Sequence, residues 1–464
     1  MALKDLFRTK PIGDLLRESR ERRHGLKRTL NYLDLTALGL GAIIGTGIFV
    51  LTGVAAARYA GPAVILSFVA AGLVSALTAL VYAELAAMVP VAGSAYTYAY
   101  TALGELVAWI IGWDLVLEYT VAAGAVAIGW AGYVVDLLSA VGLALPRWAT
   151  TSPLAGGIVN LPAVFIVAVV TVLLVVGTRQ TTLVNRVVVV IKLAVVVFFI
   201  VVGASFVKPE NWRPFAPFGF PGVMRGAAII FFAYIGFDAV STAAEEVREP
   251  RRDLPIGILA SLAVSTGLYL AVAAILTGIV PYRDLDTASP IAHALLRIGV
   301  RSGSALVSVG ALAGLTSVLL VDIFGQSRVF FSMSRDGLLP PMFSRVHPRF
   351  HTPVLVTVLT GFAVALIGGL LPIQDVAELA NIGTLTAFIL VSIGVVVLRR
   401  RRPNLRRPFR TPGVPFIPAL TVVSALYLMT NLPVLTWVRF IVWLAIGLVI
   451  YFAWSRHHSN LARR

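Results

Sequence analysis

The sequence predicts an all-α polytopic protein that crosses a membrane twelve times. Three observations predict it. Hydrophobic residues make up 58% of the 464 and mean hydropathy is +0.89, while only 13% of residues are charged. A soluble domain carries about 25% charged residues, and so few could not cover a surface of this size. Long stretches also lack Asp, Glu, Lys and Arg, among them 35–57, 59–83, 148–178, 254–282 and 411–438. A bilayer core needs about 20 mostly apolar residues per helix. Finally, 38 basic residues against 22 acidic give a charge of +16, and the excess is unevenly placed.

The predicted helices 1 to 6 cover 33–57, 62–89, 105–137, 159–177, 183–207 and 222–247. Helices 7 to 12 cover 255–280, 302–333, 353–371, 375–398, 415–431 and 435–455. Pro62, Pro162, Pro255 and Pro353 fall near helix starts, where proline is best tolerated. An even number of crossings puts both termini on one side. Segments on that side hold 28 Lys and Arg, those on the other side nine, and Lys192 lies within helix 5. Cytoplasmic loops carry such an excess, so both termini are expected in the cytoplasm of a cell-membrane protein. The runs Arg399–Arg402 and Arg406–Arg410 read as topology signals and contacts for anionic lipids at the cytoplasmic face, not for nucleic acid.

The chain divides into a basic N-terminal segment, 1–31, and two blocks of five helices, 32–207 and 208–398. A basic loop (399–414), helices 11 and 12 (415–455) and a tail (456–464) follow. The polar, basic first 31 residues do not read as a signal peptide. Cysteine is absent, which excludes disulfides, thiolate metal sites and cysteine nucleophiles. The six histidines form no ligand cluster, and no nucleotide loop or Ser-His-Asp pattern occurs. No enzyme activity, metal or cofactor is expected.

Helix 1 contains Gly39, Gly41, Gly45 and Gly47 in nine residues. Each glycine weakens a helix by about 1 kcal/mol relative to alanine. The spacing, G-x-G-x-x-x-G without a preceding strand, is not the dinucleotide fingerprint. Gly41 and Gly45 also form a small-xxx-small pair, so close helix packing stays open. Helix 6 carries its own interruption, Phe232-Ala233-Tyr234-Ile235-Gly236-Phe237-Asp238. Interruptions in the first helix of each block point to inverted repeats with a midplane site between them. Half-helix N-termini favour an anion and unwound carbonyls an ammonium, which suits an α-amino acid.

Gly41-Ala42-Ile43-Ile44-Gly45-Thr46-Gly47-Ile48-Phe49 resembles the helix-1 signature of the amino acid–polyamine–organocation (APC) superfamily. The helix-6 stretch, with Glu245-Glu246-Val247, Asp253-Leu254-Pro255-Ile256-Gly257 and Ser334-Arg335-Asp336-Gly337-Leu338-Leu339-Pro340, is similar to the cationic amino acid transporter branch and its bacterial relatives. The resemblance runs from about residue 25 to 455. It implies the LeuT-type fold of five plus five inverted helices, with helices 11 and 12 outside. Backbone around Ile43, Gly45, Thr46 and Gly47 would then bind the substrate carboxylate. Carbonyls of Phe232, Ala233 and Ile235 would bind its α-amine, with Phe232 as an aromatic gate.

Ionisable groups inside spans are costly and therefore functional candidates. Lys192 reads either as a structural lysine capping carbonyls or, as the resemblance implies, as an ammonium in the place where sodium-coupled relatives hold sodium. It would bond helix-1 carbonyls near Gly41–Ile43 and couple transport to protons. Asp114 and Glu118 lie four apart on one face of helix 3; either could take part in proton coupling or be structural. Glu84 and Glu245 are expected in inner networks with arginines, and Asp238 as a cap for the second half of helix 6. Asp322 lies mid-helix 8, where the resemblance implies a pocket for the substrate side chain and an uncharged residue. It reads as a partner for a cationic substrate, as an internal ion-pair partner, or as a proton site. Segment 90–104 reads as an amphipathic inner helix and gate element.

The expected function is secondary active transport of amino acids by alternating access, driven by the proton gradient as a symport, with arginine, lysine or ornithine favoured. An exchanger or an importer of small neutral amino acids is the alternative; a channel, sensor or membrane-embedded enzyme fits less well. A small single-span accessory protein stays open as a partner.

Overall fold

The computed structural model describes residues 6–11, 13, 29–91, 94–176, 182–350 and 352–462. Most of the basic N-terminal segment, Arg179, Arg463 and Arg464 lie outside them.

Helix 1 begins at a reciprocal cap. Asn31 Oδ1 accepts from the N–H groups of Leu33 and Asp34 at 2.8 and 3.2 Å, and Asp34 Oδ2 accepts from Asn31 N–H at 3.1 Å. The box satisfies N–H groups that a helix start leaves open. The helix runs Tyr32–Ile43, stops, and resumes as Gly47–Leu51, Thr52–Ala55 and Ala56–Ala60. Helix 2 is Val64–Met88, helix 3 Glu105–Ala140, helix 4 Leu161–Val176 and helix 5 Thr182–Ala204. Helix 6 is Gly219–Ile230, continued by two 3₁₀ segments, Phe231–Tyr234 and Phe237–Glu246. Helices 7 to 9 are Pro250–Ile279, Arg301–Arg335 and Val354–Leu370. Helices 10 to 12 are Ile373–Arg401, Phe416–Thr430 and Val434–Ile450.

Every predicted stretch is thus helical, with ends displaced by a few residues. Among the described residues, eight helical stretches are long and apolar enough to cross a membrane; the second part of helix 1 runs into helix 2 as one of them, Gly47–Met88. Tyr32–Ile43, Leu161–Val176, Val354–Leu370 and Phe416–Thr430 are apolar but shorter. Among the described residues no strand forms, only isolated bridges pairing Leu30 with Val247 and Thr150 with Asn160.

Helix 3 packs against helices 8 and 10, and helix 7 against helices 1 and 2. Two expectations are corrected. Pro255 does not start helix 7: Pro250 takes the first position, leaving Pro255 in the second turn. The segment after helix 2 forms a helix, Ser94–Ala102, but it is not amphipathic. Ala95, Tyr96, Thr97, Tyr98, Tyr100 and Thr101 are all buried. The chain ends cover it: Lys10 N–H donates to Tyr100 O at 3.1 Å, Lys10 Nζ pairs with Asp336 at 3.1 Å, and Tyr96 Oη donates to the same carboxylate at 2.8 Å.

The basic run after helix 10 is partly internal. Arg399 grips Glu84 of helix 2 with two bonds, 2.6 and 3.0 Å, and Arg407 Nε lies 3.4 Å from the same carboxylate. Thr411 N–H donates to it at 2.8 Å. Glu84 is 1% exposed and Arg407 5%. Removing one member of a buried pair leaves an uncompensated charge and costs about 3–5 kcal/mol. Glu84→Ala is therefore expected to lower the thermal midpoint of the purified protein sharply, while Arg400→Ala, outside the network, leaves it unchanged; thermal denaturation in detergent measures both.

Candidate functional site

The two interruptions meet. Helix 1 ends its first part at Ile43, and Ile44 is extended, with φ −77° and ψ 97°. Helix 6 narrows to 3₁₀ geometry at Phe231, turns extended at Ile235 and left-handed at Gly236, φ 109°. Gly236 needs its glycine twice: the positive φ disfavours any side chain, and a Cβ would press on the Ala42 backbone of helix 1. Gly47 likewise lies so close to Ala233 that a Cβ would collide with its backbone. After Gly236 the chain holds ten residues of 3₁₀ helix, Phe237–Glu246, far longer than the usual three or four and a mark of a hinge.

Side chains from distant helices catch the carbonyls at the breaks. Lys192 Nζ of helix 5 donates to Gly41 O at 2.7 Å. Tyr269 Oη of helix 7 donates to Ile43 O at 2.8 Å, and Tyr133 Oη of helix 3 to Phe49 O at 2.9 Å. At helix 6, Asn381 Nδ2 of helix 10 reaches Ala228 O and Ile229 O at 2.7 and 3.1 Å. Lys192 and Asn381 are wholly buried.

One cavity sits between the breaks. Ile43, Gly45, Thr46 and Gly47 line it from helix 1, Phe232, Ile235 and Asp238 from helix 6. Glu118 and Tyr119 of helix 3 and Val318, Val321 and Asp322 of helix 8 close it. Of the residues singled out in the sequence, Ile43, Gly45, Thr46, Gly47, Phe232, Ile235, Glu118 and Asp322 therefore share one space. Three do not line it. Ala233 packs against Gly47. Lys192 lies behind the helix-1 break, its stem against Gly314 of helix 8 and Asp322 its charged neighbour. Asp114 is fully buried against Gly383 of helix 10, and neither carboxylate oxygen has a hydrogen-bond partner among the described residues.

Asp238 differs from its expected capping role: Gly236 is the N-cap, without a side-chain cap bond, and Asp238 lines the cavity. Sequence reasoning missed Tyr269, Tyr133 and Asn381. A buried asparagine inside a span was a usable signal; nothing local marks which carbonyl a tyrosine reaches. The cavity holds about 40 Å³ of water-sized space, too little for an amino acid. At the end opposite the termini, Arg58 of helix 1 bonds Asp286 at 2.8 Å and Gln374 of helix 10 at 2.9 Å.

A broken-helix pair enclosing a small, mainly apolar cavity with three carboxylates in its lining, in a chain of apolar helices, is transporter architecture. Residues 30–453 match the family model for amino acid permeases. The chain belongs to the amino acid permease family, within the APC superfamily. This permease is 50% identical to the branched-chain amino acid permease BcaP of Bacillus subtilis over 98% of its length and 99% of that protein. It is 47% identical to a methylthioribose transporter of the same organism over 99% of its own chain and 100% of the other. Cationic amino acid transporter 4 of Homo sapiens is 31% identical over 99% of this chain and 91% of the human one. The permease is an amino acid transport protein with multiple membrane crossings, not an enzyme.

Gly47→Ala is expected to abolish the thermal stabilisation that a bound amino acid gives, because the new methyl separates the two breaks. Gly267→Ala, where a Cβ meets open space, is the control and is expected to keep it. Thermal shift with and without substrate reads the difference.

Proposed function

We propose that this permease moves a cationic amino acid across the cell membrane together with protons, by alternating access. The observation that carries the reading is the lining of the cavity: three carboxylates, Glu118, Asp238 and Asp322, and no basic side chain. A zwitterion with an extra positive charge matches that lining. Its α-carboxylate fits the start of Gly47–Leu51, where the first N–H groups of a helical segment have no partner within it. Backbone of Ile43, Gly45, Thr46 and Gly47 holds that end. Carbonyls of Phe232, Ala233 and Ile235 hold the α-amine, and the Phe232 ring closes over it. Asp322, on the opposite wall, receives the side-chain charge.

Lys192 supports proton coupling. A fixed ammonium on Gly41 O occupies the helix-1 break from behind, so no metal ion is needed there. Glu118 beside the substrate and Asp114, one turn nearer the start of helix 3, are the carboxylates that take protons in this reading. Twelve crossings form the frame: 32–207 and 208–398 are inverted repeats, helices 11 and 12 stand outside, and the basic ends face the cytoplasm. The meeting of the two breaks, one from each block, supports this pairing. Helices 1, 2, 6 and 7 rock against helices 3, 4, 8 and 9.

The bacterial branched-chain relative favours a second reading, a neutral amino acid against Val126, Val318, Val321 and Ile235, with Asp322 serving protons. Asp322→Asn separates them. On the first reading it weakens arginine binding about tenfold or more, the share of a charge-assisted hydrogen bond, and leaves alanine binding unchanged. An equal fall for both defeats the cationic reading. Lys192→Met is expected to leave folding intact and remove most proton-driven uptake into liposomes. Full uptake that still follows the pH gradient in that variant would overturn the role of Lys192.

A further inference from the structure

A second space, roomier than the substrate cavity, lies elsewhere among the described residues. A crevice of about 250 Å³ opens between helices 3, 8, 9 and 12. On helix 3 it lies on the opposite face from the substrate cavity, Val116 and Thr120 against Glu118 and Ala122, and on helix 8 it begins one turn along from Asp322, at Gln326. Its polar neighbours are occupied or closed off. Gln326 Nε2 donates to Thr120 Oγ1 at 2.6 Å, and Gln326 Oε1 and Thr360 Oγ1 are not reachable by a water-sized sphere. What faces the space is hydrocarbon and ring, including Ala363 of helix 9 and Trp443 of helix 12.

An apolar cavity of about 150 Å³ stays dry and takes up benzene, so a larger one beside a bilayer fills with hydrocarbon. Leu359, which lines the crevice, is 47% exposed, on the helix-9 face where Leu355 and Phe362 are also exposed. Phe343 of the segment Pro341–Ser344 lines it as well. Arg345 and Arg349 follow at once, both exposed and without an ion pair among the described residues. Hydrocarbon space with two exposed arginines just beyond Phe343 in the chain, Arg349 lying over the Phe350 ring at 5.8 Å, has the layout of a site for one anionic lipid.

We propose that this crevice binds one acyl chain of an anionic glycerophospholipid, whose phosphate rests on Arg345 and Arg349. The lipid backs helices 3 and 8 and so supports the wall that carries Glu118 and Asp322.

Trp443 offers the test. The full-length protein is placed in nanodiscs of phosphatidylcholine containing a small minority of phosphatidylglycerol with brominated acyl chains, which quench indole emission on contact. The Trp443 share is the difference from Trp443→Phe. The proposal expects that share to lose at least half its emission, far beyond the fraction of brominated lipid present. Ala363→Phe, which fills the crevice, returns quenching to simple proportion, and so does Arg345→Ala/Arg349→Ala, an exposed change that leaves the core intact. Brominated phosphatidylcholine quenches only in proportion. Circular dichroism confirms that each variant is folded. Proportional quenching of wild type by phosphatidylglycerol means an ordinary lipid contact and overturns the proposal. No quenching means a water-filled crevice and overturns it too, as does an equal response from Ala363→Phe, from the arginine variant or to phosphatidylcholine.

Discussion

A carbonyl or N–H group in the core of a bilayer has no water to bond, and leaving it unsatisfied costs several kcal/mol. A helix can break there only where other groups reach the break. That constraint organises this permease. Gly41 O is held by Lys192, Ile43 O by Tyr269, and the last carbonyls of the first part of helix 6 by Asn381. Each of these side chains comes from another helix, so the breaks are tied to helices 5, 7 and 10. The lysine is itself located by Gly314, whose missing Cβ leaves room for its stem against helix 8.

The helices were legible because hydrophobic length and missing charge are local signals, and all twelve stretches are helical where these signals lie. The breaks were legible for the same reason: glycines at Gly45, Gly47 and Gly236 stand out against apolar runs. Their contact was not. It depends on the approach of Gly47 to Ala233 and of Gly236 to Ala42, pairs almost two hundred residues apart. The bond from Lys192 to helix-1 carbonyls near Gly41 was expected, but the tyrosine partners were hidden, since Tyr269 reads as one more aromatic in an apolar helix. The tyrosine-rich helix Ser94–Ala102 was misread as amphipathic because its cover comes from the chain ends, which lie far away in sequence.

Charge within the membrane core follows a separate logic from charge at its edges. At the edges, Arg399 of helix 10 and Arg407 of the loop after it fasten helix 2 through Glu84. Within the core, carboxylates outnumber ammonium groups: Glu118, Asp238 and Asp322 around the cavity, Asp114 beside it, and Lys192 alone opposite them. A bare surplus of negative charge in a low-dielectric space is unfavourable. It becomes tolerable when protons or a cationic ligand occupy the space. A proton or a positively charged ligand would relieve the same surplus.

The ties at the two ends of the molecule differ in strength, and this bears on how a cavity of about 40 Å³ enlarges. At the end opposite the termini, helix 1 is held by Arg58 to Asp286 and Gln374, with the ion pair 52% and 38% exposed. Exposed pairs contribute about 0–1 kcal/mol. At the other end Glu84 is buried among two arginines and a backbone N–H, and Lys10, Tyr96 and Asp336 form a second covered knot. Parting such groups costs several times more. On the proposed alternating-access reading, with the long 3₁₀ segment Phe237–Glu246 on that covered side, the cheaper first movement is release of Arg58. Substrate would then enter from the side opposite the termini, and a positive charge among the carboxylates would offset the cost of loosening the covered side.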